Sequence, residues 1–174
     1  MLTKMNKMQE IRIEKLTLNF GAGKDADLLE KGVKLLKMIS GREPIKTITQ
    51  KRIPDWGVRP GLPLGCKITL RGKEAGELLL RLIKAKNNKL KEDSFGPGNF
   101  SVGLREYLDV PGLKYDPELG MLGFEAAVTL GRPGFRIKYR KVMPKKIPNR
   151  HRITIDETKK FAAEKLGVEM GESQ

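Results

Sequence analysis

With 174 residues, 39% of them hydrophobic and 32% charged, the chain has room for one domain with a core of its own and not for two of ordinary size. Lys and Arg number 35 against 21 Asp and Glu, and a formal charge of +14 repels itself until a polyanion neutralises it, which puts nucleic acid first among partners and an anionic membrane second. A single Cys66 and a single His151 exclude an intrachain disulfide and the usual Cys/His zinc sites, no apolar run approaches the length of a membrane span, and an N-terminus charged throughout makes the cytosol the expected compartment.

Residues 11–20 alternate, with Leu16, Leu18 and Phe20 on one side and Lys15, Thr17 and Asn19 on the other, the pattern of a half-buried strand. After GAGKD, residues 27–40 place Leu28, Leu29, Val33, Leu36 and Ile39 on one helical face, and Ser40-Gly41 with Pro44 ends the helix. Residues 45–51 predict a β-branched second strand. RIPDWGVRPGLPLG is too rich in Pro and Gly for helix or central strand, and a loop of that length inside a small domain points to function. Residues 66–71 alternate again, with Cys66, Ile68 and Leu70 inward, so strands two and three form a long-tipped hairpin. A second helix spans 73–90 with Ala75, Leu78, Leu79, Leu82 and Ile83 as its stripe. FGPGN reads as a turn, 100–108 as a fourth strand and 123–131 as a fifth, joined by a Pro/Gly-punctuated connection. Residues 132–152 hold nine Lys or Arg and no acid, and Pro133, Pro144 and Pro148 argue against helix there. Thr154 with Glu157 has capping-box spacing for a last helix over 154–166, which Gly167 ends.

These elements predict an α+β fold: a mostly antiparallel five-stranded sheet with helices packed on one face, a long loop between strands two and three, and a basic loop before a C-terminal helix. The chain 1–174 reads as a single domain, with 11–131 as sheet-and-helix core, 132–153 as basic loop and 154–167 as final helix. The uncovered face then displays Lys15, Thr17, Asn19, Lys67, Thr69, Arg71, Asn99, Ser101, Arg105 and Thr129. Four of these are basic and none acidic, whereas an ordinary solvated face mixes signs, so nucleic-acid binding is the favoured reading. The face has no paired mid-strand aromatics of the RNA-recognition-motif kind.

Three other features carry candidate chemistry. Gly21 to Ala26, GAGKDA, fits a loose dinucleotide fingerprint with Glu43 about 20 residues on, but hairpins replace the crossovers that fold requires, and a flexible turn is the simpler reading. Trp56 lies in a Pro/Gly loop beside Lys51, Arg52 and Arg59, either packed back on the domain or at the tip of a finger that touches a second RNA; the loop is expected to lack order of its own. The basic segment, with Arg132, Arg136, Lys138 and Arg140, suits phosphate neutralisation, and Phe135 and Tyr139 suit stacking. Its prolines disfavour the amphipathic helix of a membrane binder. Cys66, on an inward parity, reads as a core residue.

The stretches MQEIRIEKLTLNFGAG, ISGREPIKTITQKRI, RPGLPLGCKITLRG, GPGNFSVGLREYL and GLKYDPELGMLGFEAAVTLGRPGF resemble the universal large-subunit ribosomal protein family numbered five, in its archaeal form, over about residues 6–168. The long N-terminal helix of bacterial members is missing and the segment after GRPGF is more basic. The resemblance implies a non-enzymatic constituent of the large subunit in the cytoplasm that binds 5S ribosomal RNA, attaches it to the central protuberance and contacts 23S ribosomal RNA and neighbouring central-protuberance proteins. It maps the RNA surface to Asn19, Thr47, Gln50, Lys67, Thr69, Arg71 and Asn99. It also implies that Lys51 to Leu62, with Arg52 and Arg59, reaches the P-site tRNA, and that the protein meets a small-subunit head protein at an intersubunit bridge. No metal, cofactor or membrane is expected. The competing readings are a nucleotide-dependent enzyme using the Gly21–Gly23 loop and a non-specific RNA chaperone.

Overall fold

The computed structural model describes residues 6–171. The chain runs β1 (Arg12–Gly21), α1 (Ala26–Ser40), β2 (Ile45–Ile48), β3 (Pro63–Leu70), α2 (Lys73–Ala85), β4 (Lys89–Lys91), β5 (Phe95–Gly96), β6 (Asn99–Leu104), β7 (Phe124–Gly131), α3 (Arg136–Tyr139), α4 (Ile155–Leu166) and β8 (Glu169–Gly171), with short 3₁₀ turns between. Six strands form an antiparallel sheet in the order β2-β3-β1-β7-β6-β5, and β4 with β8 makes a small parallel pair. The fold class follows the sequence expectation.

Strand alternation decides which side of the sheet is dry. Leu18 of β1 stands opposite Ile68 of β3 and Ala126 of β7, and Leu16 stands opposite Leu70 and Val128, all of them buried. Phe100, Val102 and Leu104 of β6 continue this layer toward β5. Onto it α1 brings Leu29, Leu35, Leu36 and Ile39, and α2 brings Ala75, Leu78, Leu79, Leu82 and Ile83. The two helices pack on β3, β1 and β6 from that one side. Burying each of these larger aliphatic side chains contributes about 1.5–3 kcal/mol, so the layer dominates stability. In α1, Gly32 is buried because the Phe20 ring lies where its Cβ would be. Of the expected stripe, Leu28 and Val33 are only half-buried, and Leu35 takes the central place.

Several boundaries differ from expectation for local reasons. The sheet has six strands rather than five because Phe95–Gly96, read as part of a turn, pairs with Asn99–Phe100, and the Phe95 and Phe100 rings stack at 5.6 Å. The second helix stops at Ala85 instead of residue 90, since Asn87 and Asn88 take left-handed backbone (φ 53° and 59°) that lets the chain turn into β4. The fourth strand ends at Leu104, and the chain then turns so that Tyr107 is buried with its hydroxyl accepting the Asp116 N–H at 2.9 Å. The basic segment, expected to contain no helix, includes the single turn α3, because its prolines flank residues 136–139 and do not interrupt them. The expected capping box is present at α4: Glu157 N–H donates to Thr154 Oγ1 and Thr154 N–H to Glu157 Oε2, and Gly167 caps the far end in left-handed conformation.

Candidate nucleic-acid interface

Side chains of the second strand parity point away from the helices, and cross-strand register assembles them into rows. One row runs Ile45, Lys67, Asn19, Glu125 and Gly103 across five strands. The next holds Thr69, Thr17, Ala127 and Ser101, and a third holds Lys15, Thr129, Asn99 and Gly96. None of these residues is buried. Thr47, whose strand register the sequence leaves open, falls on the same face: it opposes Gly65, which opposes Gly21, and its hydroxyl lies against Gly65. Gln50 sits two residues beyond β2, exposed and outside the ladder. Arg71 and Arg105 are exposed just past the ends of β3 and β6.

The face is not free of acid, in contrast to the ten residues that the sequence picks out. Glu125 of β7 is exposed between Asn19 and Gly103, and outward parity of that strand, starting from Thr129, reaches it two steps on. Lys15, Lys67, Arg71 and Arg105 still outnumber it. The side chains along the middle are short, and at Gly21 and Gly103 an added Cβ would meet nothing within 4 Å. Such a floor is low, wet and rich in hydroxyl and amide donors, which lets a phosphodiester backbone come close to the sheet.

The basic segment folds against one end of this face. Arg132 is its anchor and not an outward cation: its side chain is 8% exposed. Nε donates to Gln9 O at 3.1 Å, Nη1 to Arg152 O at 3.2 Å and His151 O at 3.4 Å, and Nη2 to Glu157 Oε1 at 2.7 Å. That guanidinium is consumed inside the protein, and it leaves the set of residues offered to a ligand. Glu157 is held below the usual carboxylate range: burial pushes it up, but the Thr154 N–H and Arg132 outweigh that and favour the charged form. His151 donates from Nε2 to Pro133 O at 2.9 Å and lies edge-on to Phe135 at 5.6 Å, so the one imidazole is structural. Phe135 is half-buried on the core, while Arg136, Lys138, Tyr139 and Arg140 are exposed, with Lys138 Nζ 5.3 Å from the Tyr139 ring centroid. Tyr139 thus offers the more exposed ring, while Phe135 packs partly on the core.

The loop between β2 and β3 carries a bonded turn near its tip. Ile53 and Val58 exchange reciprocal N–H···O bonds of 3.0 Å, with Pro54 starting a 3₁₀ turn and Gly57 (φ 60°) ending it. Val58 is buried and fixes the tip, whereas Trp56 is 67% exposed and does not pack back. Lys51, Arg52 and Arg59 flank it along the chain, all exposed.

The Gly21–Gly23 loop lacks the geometry of a phosphate cradle. The N–H groups of Ala22 and Gly23, which a pyrophosphate would need, both donate to Leu64 O at 2.9 and 3.1 Å, and the Lys24 side chain lies over Gly57. No group of His, Cys, Asp and Glu suited to a metal occurs among the described residues, and no described helix is long and apolar enough to cross a membrane.

Family models match in two consecutive blocks: ribosomal protein L5 over residues 6–59, and the C-terminal part of the same ribosomal family over residues 63–161. The break falls within the loop between β2 and β3. Similar proteins include the large ribosomal subunit protein uL5 of Nanoarchaeum equitans, 46% identical over 164 residues that cover 94% of this chain and 97% of the relative. That of Sulfurisphaera tokodaii is 40% identical, with 94% of each chain covered. That of Caldivirga maquilingensis is 43% identical, covering 92% of this chain and 82% of the relative. The uncovered polar sheet, the basic segment pinned at its end and these matches along nearly the whole chain agree: the chain belongs to the ribosomal protein L5 family.

Proposed function

We propose that this ribosomal protein is a structural, RNA-binding constituent of the large subunit, that its bare sheet face binds 5S ribosomal RNA, and that it helps attach that RNA to the central protuberance. The observation that carries the reading is the outer face itself, with hydroxyls and amides in register, Lys15 and Lys67 among them, Arg71 and Arg105 just past the ends of their strands, and glycines that leave open space at Gly21 and Gly103. Asn19, Thr47, Lys67, Thr69, Arg71 and Asn99 are the contacts, with Gln50 at the margin; Arg136, Lys138 and Arg140 add phosphate neutralisation from the basic segment. A preformed sheet loses little conformational entropy on docking, so its donors position the RNA and the cations supply most of the salt-sensitive affinity.

The tip carrying Lys51, Arg52, Trp56 and Arg59 forms a separate finger, and its cations and exposed indole suit the elbow of a P-site tRNA. Contacts with 23S ribosomal RNA, a small-subunit head protein at an intersubunit bridge and neighbouring central-protuberance proteins complete the reading, in the cytoplasm and on the ribosome. A nucleotide-dependent enzyme loses its basis because the Ala22 and Gly23 amides are already bonded to Leu64.

The test is RNA binding by the purified chain. Lys67→Ala with Arg71→Ala lowers affinity for 5S RNA without unfolding the domain, and unchanged binding in a filter assay removes the sheet face from the site. If about eight phosphates are neutralised, a fourfold rise in salt weakens binding by about four decades. Equal affinity for tRNA and 5S RNA would favour a non-specific chaperone. Deleting residues 52–60 leaves 5S binding intact while impairing tRNA-dependent steps; loss of 5S binding would show the two surfaces to be one.

A further inference from the structure

Where the basic segment meets the end of the sheet, it encloses a cleft of about 400 Å³, within the size range of small-ligand sites. Its sheet side is made by Asn99 and Thr129, neighbours in the third row, and by Glu14 at the bulge of β1. Opposite stand Lys138 and Tyr139 of α3, with Lys146 and Arg152. None of these residues is buried, so the cleft opens to solvent.

Two features are unlike a general phosphate-binding surface. Tyr139 offers a ring that is 59% exposed beside a lysine, which is a stacking platform next to a cation. Glu14 lines the same cleft as Lys138, Lys146 and Arg152 and forms no ion pair or hydrogen bond among the described residues. Its carboxylate is placed rather than floating: a Cβ at Gly131 would lie 3.2 Å from Glu14 Oε2, so the missing side chain at 131 makes the room it occupies. Asn99 is seated likewise over Gly96, where a Cβ would collide with its amide. A carboxylate in the lining opposes phosphate binding but accepts from a ligand that carries donors of its own.

We infer that this cleft binds a single unstacked guanosine of the RNA, with the base on Tyr139, the guanine Watson–Crick edge on Glu14 and its phosphate toward Lys138, Lys146 and Arg152. Guanine alone among the four bases presents two adjacent donors, N1–H and the N2 amino group, that fit both oxygens of one carboxylate. Adenine and cytosine present one amino donor next to a ring acceptor, and uracil flanks its single N–H with two carbonyls; each sets a lone pair against the carboxylate. Asn99 and Thr129 supply the remaining polar contacts at the sheet side. The inference rests on the RNA-binding reading and adds a position and a base identity to it.

The test uses the full-length chain and free 5′-GMP, 5′-AMP and 5′-UMP as probes, followed by ¹H–¹⁵N chemical shifts. GMP shifts the amides of Glu14, Asn99 and Tyr139 and saturates; AMP and UMP bind about tenfold more weakly. Glu14→Gln brings GMP down to the AMP level and leaves AMP unchanged, and Tyr139→Ala weakens every nucleotide. The spectra also report whether each variant is folded. Equal binding of GMP and AMP, or shifts that avoid the cleft, overturns the inference. The same preparation is assayed for 5S RNA: retained RNA binding without guanine preference sinks the cleft alone, whereas absent RNA binding sinks the proposed function beneath it.

Discussion

Arg132 and Glu157 meet at 2.7 Å across 25 residues, and through this contact the final helix holds the basic segment on the sheet. The same guanidinium also bonds carbonyls of Gln9, His151 and Arg152, so one side chain ties the N-terminal stretch, the end of the basic segment and α4 together. Replacing it by Ala leaves those acceptors short of a donor. Arg132→Ala therefore destabilises the domain by about 2–3 kcal/mol, the low side for a broken buried pair because Glu157 is partly solvated. Arg132→Lys recovers little, since one ammonium cannot reach acceptors spread around a planar fork. Urea titration measures both, and a wild-type midpoint for either variant would contradict the anchoring role.

Glu157 gives that anchor a pH dependence. Burial alone would raise its carboxyl, but the Thr154 N–H and Arg132 lower it on balance. A carboxyl whose folded pKa is depressed contributes stability above its unfolded value, near pH ~4.3, and that contribution is lost as pH falls through the folded pKa. Stability followed from about pH 7 to about pH 3 should decline at the acid end, and Glu157→Gln should flatten that part of the curve. An unchanged slope in the variant would place the acid sensitivity elsewhere.

Gly32 sits inside α1 beneath Phe20. In an exposed helix, Gly→Ala stabilises by about 1 kcal/mol. Here the new methyl must displace a packed ring whose other side is core, and overpacking of that kind costs about 1–3 kcal/mol. The second effect wins, so Gly32→Ala lowers the thermal midpoint, whereas Gly76→Ala in α2, where nothing lies within 4 Å of the added Cβ, raises it. The pair of measurements isolates the clash from helix propensity.

Cys66 is fully buried on β3, between β1 and β2, and burial pushes its thiol up to about 11 against a weak opposing pull from Lys46. Thiolate is the reactive form, so a soluble disulfide reagent modifies Cys66 only as the fold opens. Rapid labelling under native conditions, at a rate insensitive to denaturant, would count against that burial.

What the sequence discloses follows from side-chain period. Alternation at Leu16–Leu18–Phe20 and Cys66–Ile68–Leu70 separates the dry face from the wet one, and the spacing of Leu78, Leu79 and Leu82 identifies the covering helix. The capping box at Thr154 is legible because its partners are three residues apart. Features that depend on distant partners are not. A two-residue strand at Phe95 has no period to read, and the burial of Arg132 depends on Gln9 and Glu157, which no local pattern connects to it. Glu125 escapes a face assembled from donors alone, although outward parity reaches it. Glu14 looks like one more strand charge until the basic segment folds across from it.

Gly103 separates folding from binding on the sheet face. It ends a cross-strand row, on β6 beside Glu125 of β7 and beyond the reach of β5, with buried Val102 and Leu104 flanking it, and its outward side is empty to 4 Å. Its backbone is not in the left-handed region, so a β-branched residue fits without strain. Glycine within a strand costs stability relative to such a residue, up to about 1 kcal/mol. Gly103→Val should therefore fold as well as the parent chain or better. The isopropyl group would nonetheless stand beside Glu125, Ala127 and Ser101, where an RNA backbone has to approach. Affinity for 5S RNA should fall about tenfold or more while the thermal midpoint holds or rises, the reverse of what a packing defect produces. Binding at parental strength would mean that the RNA stays clear of the β6 end of the face, and the contact surface would have to be redrawn toward Lys67, Asn19 and Lys15.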